Sequence, residues 1–597
     1  MAPYVYSKLN TKIPEIGILT LLPGSLKDPI SFTISHEKFD IPDFDPHPPS
    51  AITPEHRNGL PAGWDVGETA EGEIIYNYDD PETGDEYCTW THPDPSFCLR
   101  GIKVRRDVPE NKTPSYEALS YAWGTAKSLE PAFVSDYSTR IQTNTGSSGT
   151  LQLGENLICA LKHLRYPEKT RRRLWIDAIC INQQDLDERG SQVQLMAKIY
   201  KFAERVVVWL GPEQENTKLA ISTMQYLGRQ VEIFRTNSYV PSPNCKEVTW
   251  FSPEVVLPYD DQTYQSISNM LERSWFDRVW IIQEIQLAKP NAIMLCGAQE
   301  ILWSLFRRGM VCMLTKTSIP GTLRERLRAV WWRTARCLNN DSPTLNSLFR
   351  ATVTAKCVEP VDKVHGILGI GPRMLTKKII PDYTVYYGEV YKTIFLQHLA
   401  LSRRFELLGW CSLQSVPKMP TWVPNFLSTK NSFALARGGS YYASGFSSAS
   451  FSEQNDTLKV EGVRVTKVST VHKSSVNSLS DLFDIVPDVK LSQSENKLYV
   501  TGESLLDALA SALSCCALRD RFPRDGLTKL YRKELASLIM TTTGSVEKVA
   551  SAQTHFRLFN RVKGLKFITT EDGHFGFGPD VLPGNLEYCM PENVLTC

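Results

Sequence analysis

Two stretches of this 597-residue sequence place polar side chains where they could do chemistry. The first is Asp177–Asp187, in which Asp, Asn and Gln surround Cys180 directly after the apolar run Leu174–Ile176. Carboxylates and amides at the C-terminal end of a strand are typical of ligand sites in α/β folds. The second is Trp280 with Glu284, one turn apart in a segment of helical pattern. A carboxylate among apolar residues, such as Glu284, is costly without a partner. Both stretches are therefore candidate sites.

Structural roles compete with chemical ones at these positions. Asp177 and Asn182 are of the residue types that cap turns and helix starts beside a strand end. Cys180 could be a nucleophile, but His163 is the nearest histidine in the sequence, and a small buried thiol is the commoner role. Glu284, in turn, could form an ion pair with a buried arginine such as Arg189 or Arg278.

Charge, cysteine spacing and apolar runs limit which kinds of protein this sequence can encode. The formal net charge of +1 gives no electrostatic attraction to nucleic acid or to a membrane surface. The 14 cysteines follow no CxxC or Cys/His spacing, so we predict no metal site. We also expect no bound cofactor. No signal-peptide pattern opens the sequence and no apolar run reaches the ~20 residues that span a bilayer. We therefore expect a cytoplasmic protein with two to four domains.

The elements that would position the candidates form an α/β pattern. Leu174–Ile176 reads as a buried strand, the residues from Glu188 onward recur at helical spacing, and Val206–Leu210 is a β-branched strand. Strand, helix and strand in under forty residues predict a parallel crossover unit. Tyr264–Ala288 has a helical pattern that includes Trp280 and Glu284.

Further strands are predicted upstream. Residues 14–36 read as two strands around a Pro-Gly turn. Leu119–Tyr121 reads as a buried strand whose exit at Trp123 and Gly124 needs the backbone freedom of glycine. The Ser/Thr/Gly-rich residues 125–150 predict a long loop.

Residues 58–95 resemble a WW domain. The matching residues are Leu60-Pro61, Gly63-Trp64, Gly72, Tyr76, Thr89-Trp90 and Pro93. The resemblance implies a small all-β insert of three strands, with a ligand face at Tyr76 and Trp90 and a Pro-rich peptide as its partner. Ile75 and Asp79 stand where the family has an aromatic residue and a histidine, so a structural insert is an equally good interpretation.

Three blocks in order resemble the heterokaryon incompatibility (HET) domain of filamentous fungi. They are YEALSYAWG from Tyr116, LWIDAICINQQDLDERG from Leu174 and RSWFDRVWIIQE from Arg273. The resemblance implies a TIR-like parallel-sheet core and a role in the programmed cell death that follows non-self recognition between fungal cells. Further segments similar to those found after HET domains begin at Asp362 and Ile379.

The resemblance also divides the chain. We expect lead-in strands at 14–36, the WW-like domain at 58–95, the HET domain at 100–300, a mostly helical region at 301–430 and a β-rich region at 431–597.

Remote similarity to TIR domains, some of which cleave NAD, implies a catalytic hypothesis for Glu284. The Trp280-to-Glu284 offset equals that of the TIR Trp-Cys-x-x-Glu pattern, with Ile281 in place of the cysteine. Glu284 would stabilise an oxocarbenium-like centre of the NAD substrate. The substrate-binding residues would be Tyr121, Trp123, Gly124, Asp177, Asn182, Gln183 and Trp280.

A second interpretation is a non-enzymatic signalling module. Many TIR domains act as scaffolds, so the chain could work by self-association into a homo-oligomer and by binding a protein partner or an allelic non-self factor. The sequence contains neither GxxxxGK[ST] nor a GxGxxG after a strand, which argues against a nucleotide-binding regulator.

Overall fold

A computed structural model describes most of the chain. The described residues are 2–10, 13–46, 49–80, 86–97, 115–124, 128–135, 148–168, 170–243, 245–316, 318–334, 344–411, 416–428, 448–476, 481, 498–502, 504, 508–509, 512, 562, 564–579 and 587–591. The chain divides into two compact units, residues 1–385 and 386–597. The division falls inside the segment 301–430 that was predicted as one helical region.

The first unit mixes strands and helices. Its strands are β1 (Glu15–Leu21), β2 (Ser31–Lys38), β3 (Trp64–Glu68), β4 (Ile74–Asp79), β5 (Glu86–Thr89), β6 (Glu117–Tyr121), β7 (Leu129–Val134), β8 (Gly149–Gly154), β9 (Arg172–Trp175), β10 (Val206–Trp209), β11 (Val231–Ile233), β12 (Tyr239–Pro241), β13 (Ile293–Cys296) and β14 (Gln299–Leu302). Its helices are α1 (Pro54–Arg57), α2 (Glu155–Leu164), α3 (Asp177–Cys180), α4 (Leu186–Phe202), α5 (Thr217–Gly228), α6 (Asp261–Leu271), α7 (Ile281–Gln286), α8 (Trp303–Thr315), α9 (Gly321–Thr334), α10 (Leu345–Thr352), α11 (Asp362–His365) and α12 (Arg373–Thr376), with 3₁₀ helices at Val248–Phe251 and Ser274–Asp277.

A mixed sheet forms the centre of this unit. Among the described residues it has nine strands in the order β14-β13-β10-β6-β9-β1-β2-β7-β8. The four strands β9, β6, β10 and β13 are parallel neighbours, so that Ser120 pairs with Val208 and Glu117 with Leu174. Chain order 2-1-3-4 across these strands is the order of flavodoxin-like sheets. β6 and β10 are buried along their whole length, as expected for parallel strands covered on both faces.

The predicted crossover unit is confirmed. β9, α4 and β10 follow one another, and β9 and β10 run parallel on either side of β6. The Asp185 carboxylate accepts the Glu188 amide N–H at 3.1 Å and caps the start of α4. The two predicted N-terminal strands are also confirmed, since β1 and β2 pair antiparallel and β1 extends the sheet beside β9.

Residues 125–150 were predicted as a loop, and that prediction is wrong in part. Leu129–Val134 and Gly149–Gly154 form β7 and β8, which pair antiparallel at one edge of the sheet. Residues 136–147, between these strands, lie outside the described residues.

The continuous helix predicted for Tyr264–Ala288 is also wrong, because the chain is extended at Arg273 and Arg278. Backbone pairing with a distant segment explains the break at Arg278: the Lys356 N–H bonds to the Asp277 carbonyl, and the Val279 N–H bonds to the Lys356 carbonyl at 2.9 Å. Asp277 also forms ion pairs with Arg326, Arg333 and Lys356. Tertiary contacts therefore override the local helical pattern, and a separate short helix, α7, carries Glu284.

The segment of the predicted insert contains a separate antiparallel sheet of three described strands, β3-β4-β5. Val66, Ile74 and Tyr76 form its buried face, with Trp64 packed against them. Ile75 points to the opposite face. Three strands in this segment were expected, while the WW resemblance itself stays a prediction.

The second unit is described in part. Its described elements are α13 (Tyr387–Ser402), a 3₁₀ helix at Glu406–Trp410, and the strands β15 (Phe451–Gln454), β16 (Thr457–Val460), β17 (Gly462–Ser475), β18 (Leu565–Thr570), β19 (Phe575–Pro579) and β20 (Glu587–Pro591). β15 and β16 form a hairpin, and the other strands pair in the order β19-β18-β17-β20.

Candidate functional site

Glu284 lies fully buried on α7, beside the C-terminal end of β6. Arg278 donates two hydrogen bonds to it, with Nη1 3.2 Å from Oε2 and Nη2 3.3 Å from Oε1. The Ser120 hydroxyl donates to the same Oε2, and the Trp275 indole N–H donates to the Ser120 Oγ at 2.7 Å. The carboxylate is therefore held by Ser120 of β6 and by the extended Arg278, and Trp275 of the 3₁₀ helix in turn holds Ser120.

A second carboxylate, Asp177, faces the same guanidinium. It begins α3 just after β9, and its Oδ2 lies 4.0 Å from the Arg278 Nη2. The Trp123 indole N–H donates to Oδ2 at 2.9 Å, and the Ala178 amide N–H donates to Oδ1 at 2.7 Å. We call Ser120, Asp177, Arg278 and Glu284 the acidic cluster.

The acidic cluster combines two carboxylates with one guanidinium in a water-poor setting. Burial raises the pKa of Glu284 and of Asp177, and the Arg278 charge offsets part of each shift. Burial alone would lower the pKa of Arg278, but the two carboxylates raise it overall. The arrangement therefore keeps Arg278 charged and favours proton uptake by a carboxylate.

Besides Asp177, the predicted substrate-binding residues Tyr121 and Trp123 lie beside this cluster, and Gly124 follows them in the chain. Tyr121 is buried at the end of β6, and burial, with the nearby Asp177, raises the pKa of its hydroxyl well above its usual range. Trp123 is 47% exposed and covers Asp177 from the solvent side. Gly124 has a φ of +78°, the left-handed conformation expected at the strand exit.

Other predicted residues have local partners instead. The Asn182 side chain accepts the Gln184 N–H at 3.2 Å and its backbone N–H donates to Glu188 at 2.8 Å, which is the turn-capping role. The Gln183 side chain donates to the Asp177 carbonyl at 2.8 Å. Both stabilise the loop between β9 and α4.

Trp280 belongs to a second polar group. Its indole N–H donates to Asp362 at 3.2 Å, and the Tyr383 hydroxyl donates to the other carboxylate oxygen at 3.0 Å. Burial raises the pKa of Asp362 to about 6. The Arg189 guanidinium stacks 3.7 Å above the Tyr383 ring, and His365 meets that ring edge-on at 5.3 Å. Trp280 is thus directed away from the acidic cluster.

Cys180 is placed as a structural residue. It is buried beneath β1, and the Ile176 N–H lies 3.4 Å from its Sγ. Burial raises the pKa of its thiol to about 12, which suppresses the thiolate that a nucleophile needs. Within the described ranges, no three His, Cys, Asp or Glu side chains are grouped so as to hold a metal ion.

The predicted ligand face of the WW-like segment requires a correction. Tyr76 and Trp90 were placed together, but Tyr76 is buried on the face with Val66 and Ile74. Trp90 packs on the opposite face with Ile75. The reason is strand alternation: Tyr76 pairs with Thr89, so the next residue, Trp90, points the other way.

An open cleft of about 380 Å³ lies apart from the predicted site. It is lined by Ser222, Thr223, Tyr226, Glu247, Trp250, Pro258 and Tyr259. None of the predicted site residues contributes to it.

Sequence reasoning missed Ser120, Trp275 and Asp362 as hydrogen-bond partners. A serine inside the apolar strand EALSY and an aspartate opening the DKVHGILGI segment were the available signals. Arg278 was foreseen as one alternative partner of Glu284, and the structure selects it over Arg189.

The fold is that of a mixed α/β domain with a parallel core. Its polar centre is the acidic cluster, which joins β6, the segment after β9, and α7. Residues 116–284 match the family model "Heterokaryon incompatibility protein (HET)". The chain therefore carries a HET domain, and the acidic cluster lies within it.

A curated relative is similar over a longer stretch. The "Heterokaryon incompatibility protein 6, OR allele" of Neurospora crassa is 28% identical over 375 residues, which is 53% of this chain and 54% of that protein. The chain thus aligns with about half the length of this relative. No solved structure matches the chain. No helix in the described ranges has the length and hydropathy needed to cross a bilayer.

Proposed function

We propose that this protein is a cytoplasmic heterokaryon incompatibility effector that triggers programmed cell death after non-self recognition. The HET domain and the similarity to the Neurospora protein support this role. We propose further that the effector acts by self-association and by contact with a protein partner or allelic non-self factor, rather than by chemistry at Glu284.

One observation carries the choice of a non-enzymatic mode. The Glu284 carboxylate is fully buried and both of its oxygens accept hydrogen bonds from Arg278 or Ser120. A catalytic carboxylate must reach the reacting atoms of its substrate. In this conformation Glu284 instead stabilises the HET domain by linking Ser120 of the first sequence block to Arg278 of the third.

NAD hydrolysis is the second candidate, and a different observation favours it. The acidic cluster has two carboxylates for one guanidinium, and the exposed Trp123 lies between Asp177 and solvent. A displaced Trp123 would let a cationic, hydroxyl-rich ligand such as the nicotinamide ribose approach Asp177, with Glu284 behind it. The flavodoxin-like strand order is compatible with a TIR-like core.

The two candidates are separated by expressing the full chain with Glu284→Gln. This change keeps the side-chain size but removes the charge. The matched control is Glu117→Gln, which removes a buried carboxylate of the first unit paired with Arg172 and Arg205, outside the acidic cluster. Cell death and cellular NAD are measured at equal amounts of folded protein.

If the non-enzymatic proposal holds, both variants kill as the wild type does and NAD falls no faster than in cells dying by another route. Loss of killing together with loss of NAD turnover in Glu284→Gln, and not in Glu117→Gln, would establish hydrolysis instead. The full chain is needed because β1 and β2, outside the family match, pair into the HET sheet.

A further inference from the structure

The second face of the β3–β5 sheet is covered by the chain's own β11–β12 hairpin. Ile75, fully buried, packs against Phe234 and Val240 of this hairpin, with Cys88 and Trp90 at the margin. The Phe234 ring lies directly over Gly67, where an added Cβ would come within 2.2 Å of the ring. Glycine at this position is therefore what lets the ring approach the sheet.

Backbone hydrogen bonds join the same two elements. The Ala70 N–H donates to the Ile233 carbonyl at 2.8 Å, and the Arg235 N–H donates to the Glu68 carbonyl at 3.0 Å. Thr69 and Phe234 form an antiparallel bridge between these bonds. The hairpin thus engages the sheet as an added strand does, with main-chain bonds and an alternating side-chain contact.

Charged side chains surround this small apolar contact. Glu68 pairs with Arg235 at 3.1 Å, Glu71 pairs with Arg307 of α8 at 2.6 Å, and Glu232 of the hairpin pairs with Arg308 of the same helix. Contacts within a chain that are small and polar separate more readily than an obligate apolar core. Of these three ion pairs, only Glu68–Arg235 joins the sheet to the hairpin. Opening the contact therefore breaks one ion pair and a few apolar contacts.

We propose that the hairpin is a built-in ligand of the β3–β5 face and that this docking is a reversible latch. The residues of the hairpin indicate which partner peptide could replace it on this face. Such a peptide would be extended and would carry an aromatic or β-branched side chain with a proline beside it, as in Val240-Pro241. A partner peptide that takes the face displaces the hairpin. The hairpin lies within the HET match and follows α5 directly, so its release changes the HET domain itself.

Hydrogen exchange of the full-length protein tests the latch. Phe234→Ala removes the ring from the contact, and Val240→Ala is a milder change at the same place. Val248→Ala, at a residue 52% exposed and close in sequence, is the matched control. We expect at least tenfold faster exchange in residues 64–79, 86–90 and 231–241 for Phe234→Ala, a smaller increase for Val240→Ala, and none for the control.

Exchange in β6, β10 and β13 must stay unchanged, since the latch opens without unfolding the central sheet. Faster exchange throughout the central sheet in both hairpin variants would show one cooperative core and overturn the proposal. Unchanged exchange in both variants would overturn it as well, because the hairpin would then not hold the sheet.

A labelled peptide of residues 230–243 supplies the binding test. Its fluorescence anisotropy should report at least tenfold tighter binding to Phe234→Ala than to the wild type, because the face is vacated. Adding Trp90→Ala to Phe234→Ala should remove that gain. Equal binding to wild type and Phe234→Ala, or a gain that survives Trp90→Ala, would contradict a shared face.

Discussion

Arg278 donates a hydrogen bond to each carboxylate oxygen of Glu284, with nitrogen–oxygen distances of 3.2 and 3.3 Å inside a buried cluster. The contact exists because the chain is extended at Arg278, which brings the guanidinium back to the helix that follows. In a continuous helix, residues 278 and 284 would be six positions apart, outside the i+3 and i+4 spacings at which side chains meet. The break in the helix and the ion pair are therefore one structural feature.

Removing one partner of this pair is expected to be strongly destabilising. Arg278→Met leaves Glu284 and Asp177 buried without a counter-charge, and such changes cost about 3–5 kcal/mol. Arg278→Met combined with Glu284→Gln should cost less than the sum of the single changes, since the pair is removed together. Urea unfolding of the four proteins measures the coupling, and additive costs would contradict a direct interaction.

The pH dependence of stability should contain a contribution from Glu232. Burial raises the pKa of this carboxyl group from 4.5 to about 7, against the opposing charge of Arg308. The folded state then binds more protons than the unfolded state between these pH values, so this contribution to stability is lost as pH rises through the window. The slope for one group is at most about 1.4 kcal/mol per pH unit.

Glu232→Gln should remove that slope. The free energy of unfolding is measured at several pH values from 4.5 to 7.5 for the wild type and the variant. The difference between them should change with pH in this range and level off outside it. Parallel curves would show that Glu232 titrates normally in the folded protein.

His365 should make the stability depend on pH in the opposite direction to Glu232. Burial, with the Arg189 charge, lowers the pKa of this histidine from 6.5 to about 4 although Asp382 opposes the shift. The unfolded state then takes up the proton first as pH falls, so the folded protein loses stability between about pH 6.5 and 4. His365→Phe keeps a ring against Tyr383 and should flatten this acid limb.

The stability of His365→Phe at pH 7.5 gives the control for this prediction. Both His365 ring nitrogens are buried and have no hydrogen-bond partner among the described residues. The variant should therefore match or exceed the wild type there. A loss at pH 7.5 equal to the loss at pH 5 would mean that packing, and not protonation, decides the effect.

Gly228 marks a close approach of α5 to α8. An added Cβ would lie 2.0 Å from the Leu305 carbonyl oxygen, so Gly228→Ala must push the helices apart. Overpacking of this kind costs about 1–3 kcal/mol, despite the better helix propensity of alanine. Gly321→Ala is the matched control, because no atom lies within 4 Å of its added Cβ and the change should be neutral or stabilising. Thermal unfolding of both variants shows whether overpacking or the helix propensity of alanine dominates at Gly228.

The sequence by itself was enough to predict the parallel core and to recognise the three blocks that resemble a HET domain. Apolar strands such as Val206–Trp209, the periodic helix α4 and the glycine at position 124 are local features, because side-chain pattern and backbone freedom act within a few residues. The candidates Asp177 and Glu284 were also visible, since polar residues in apolar surroundings stand out in the sequence.

Only the tertiary structure decided what those residues contact. The chain breaks at Arg278 because Lys356, far away in sequence, pairs with Asp277 and Val279, and this break directs Arg278 to Glu284. Trp280 is turned to Asp362, and Trp90 packs against the cluster of Ile75, Phe234 and Val240, by the same kind of distant contact. Local pattern specifies elements, but partners separated by tens to hundreds of residues meet only when the packed core brings them together.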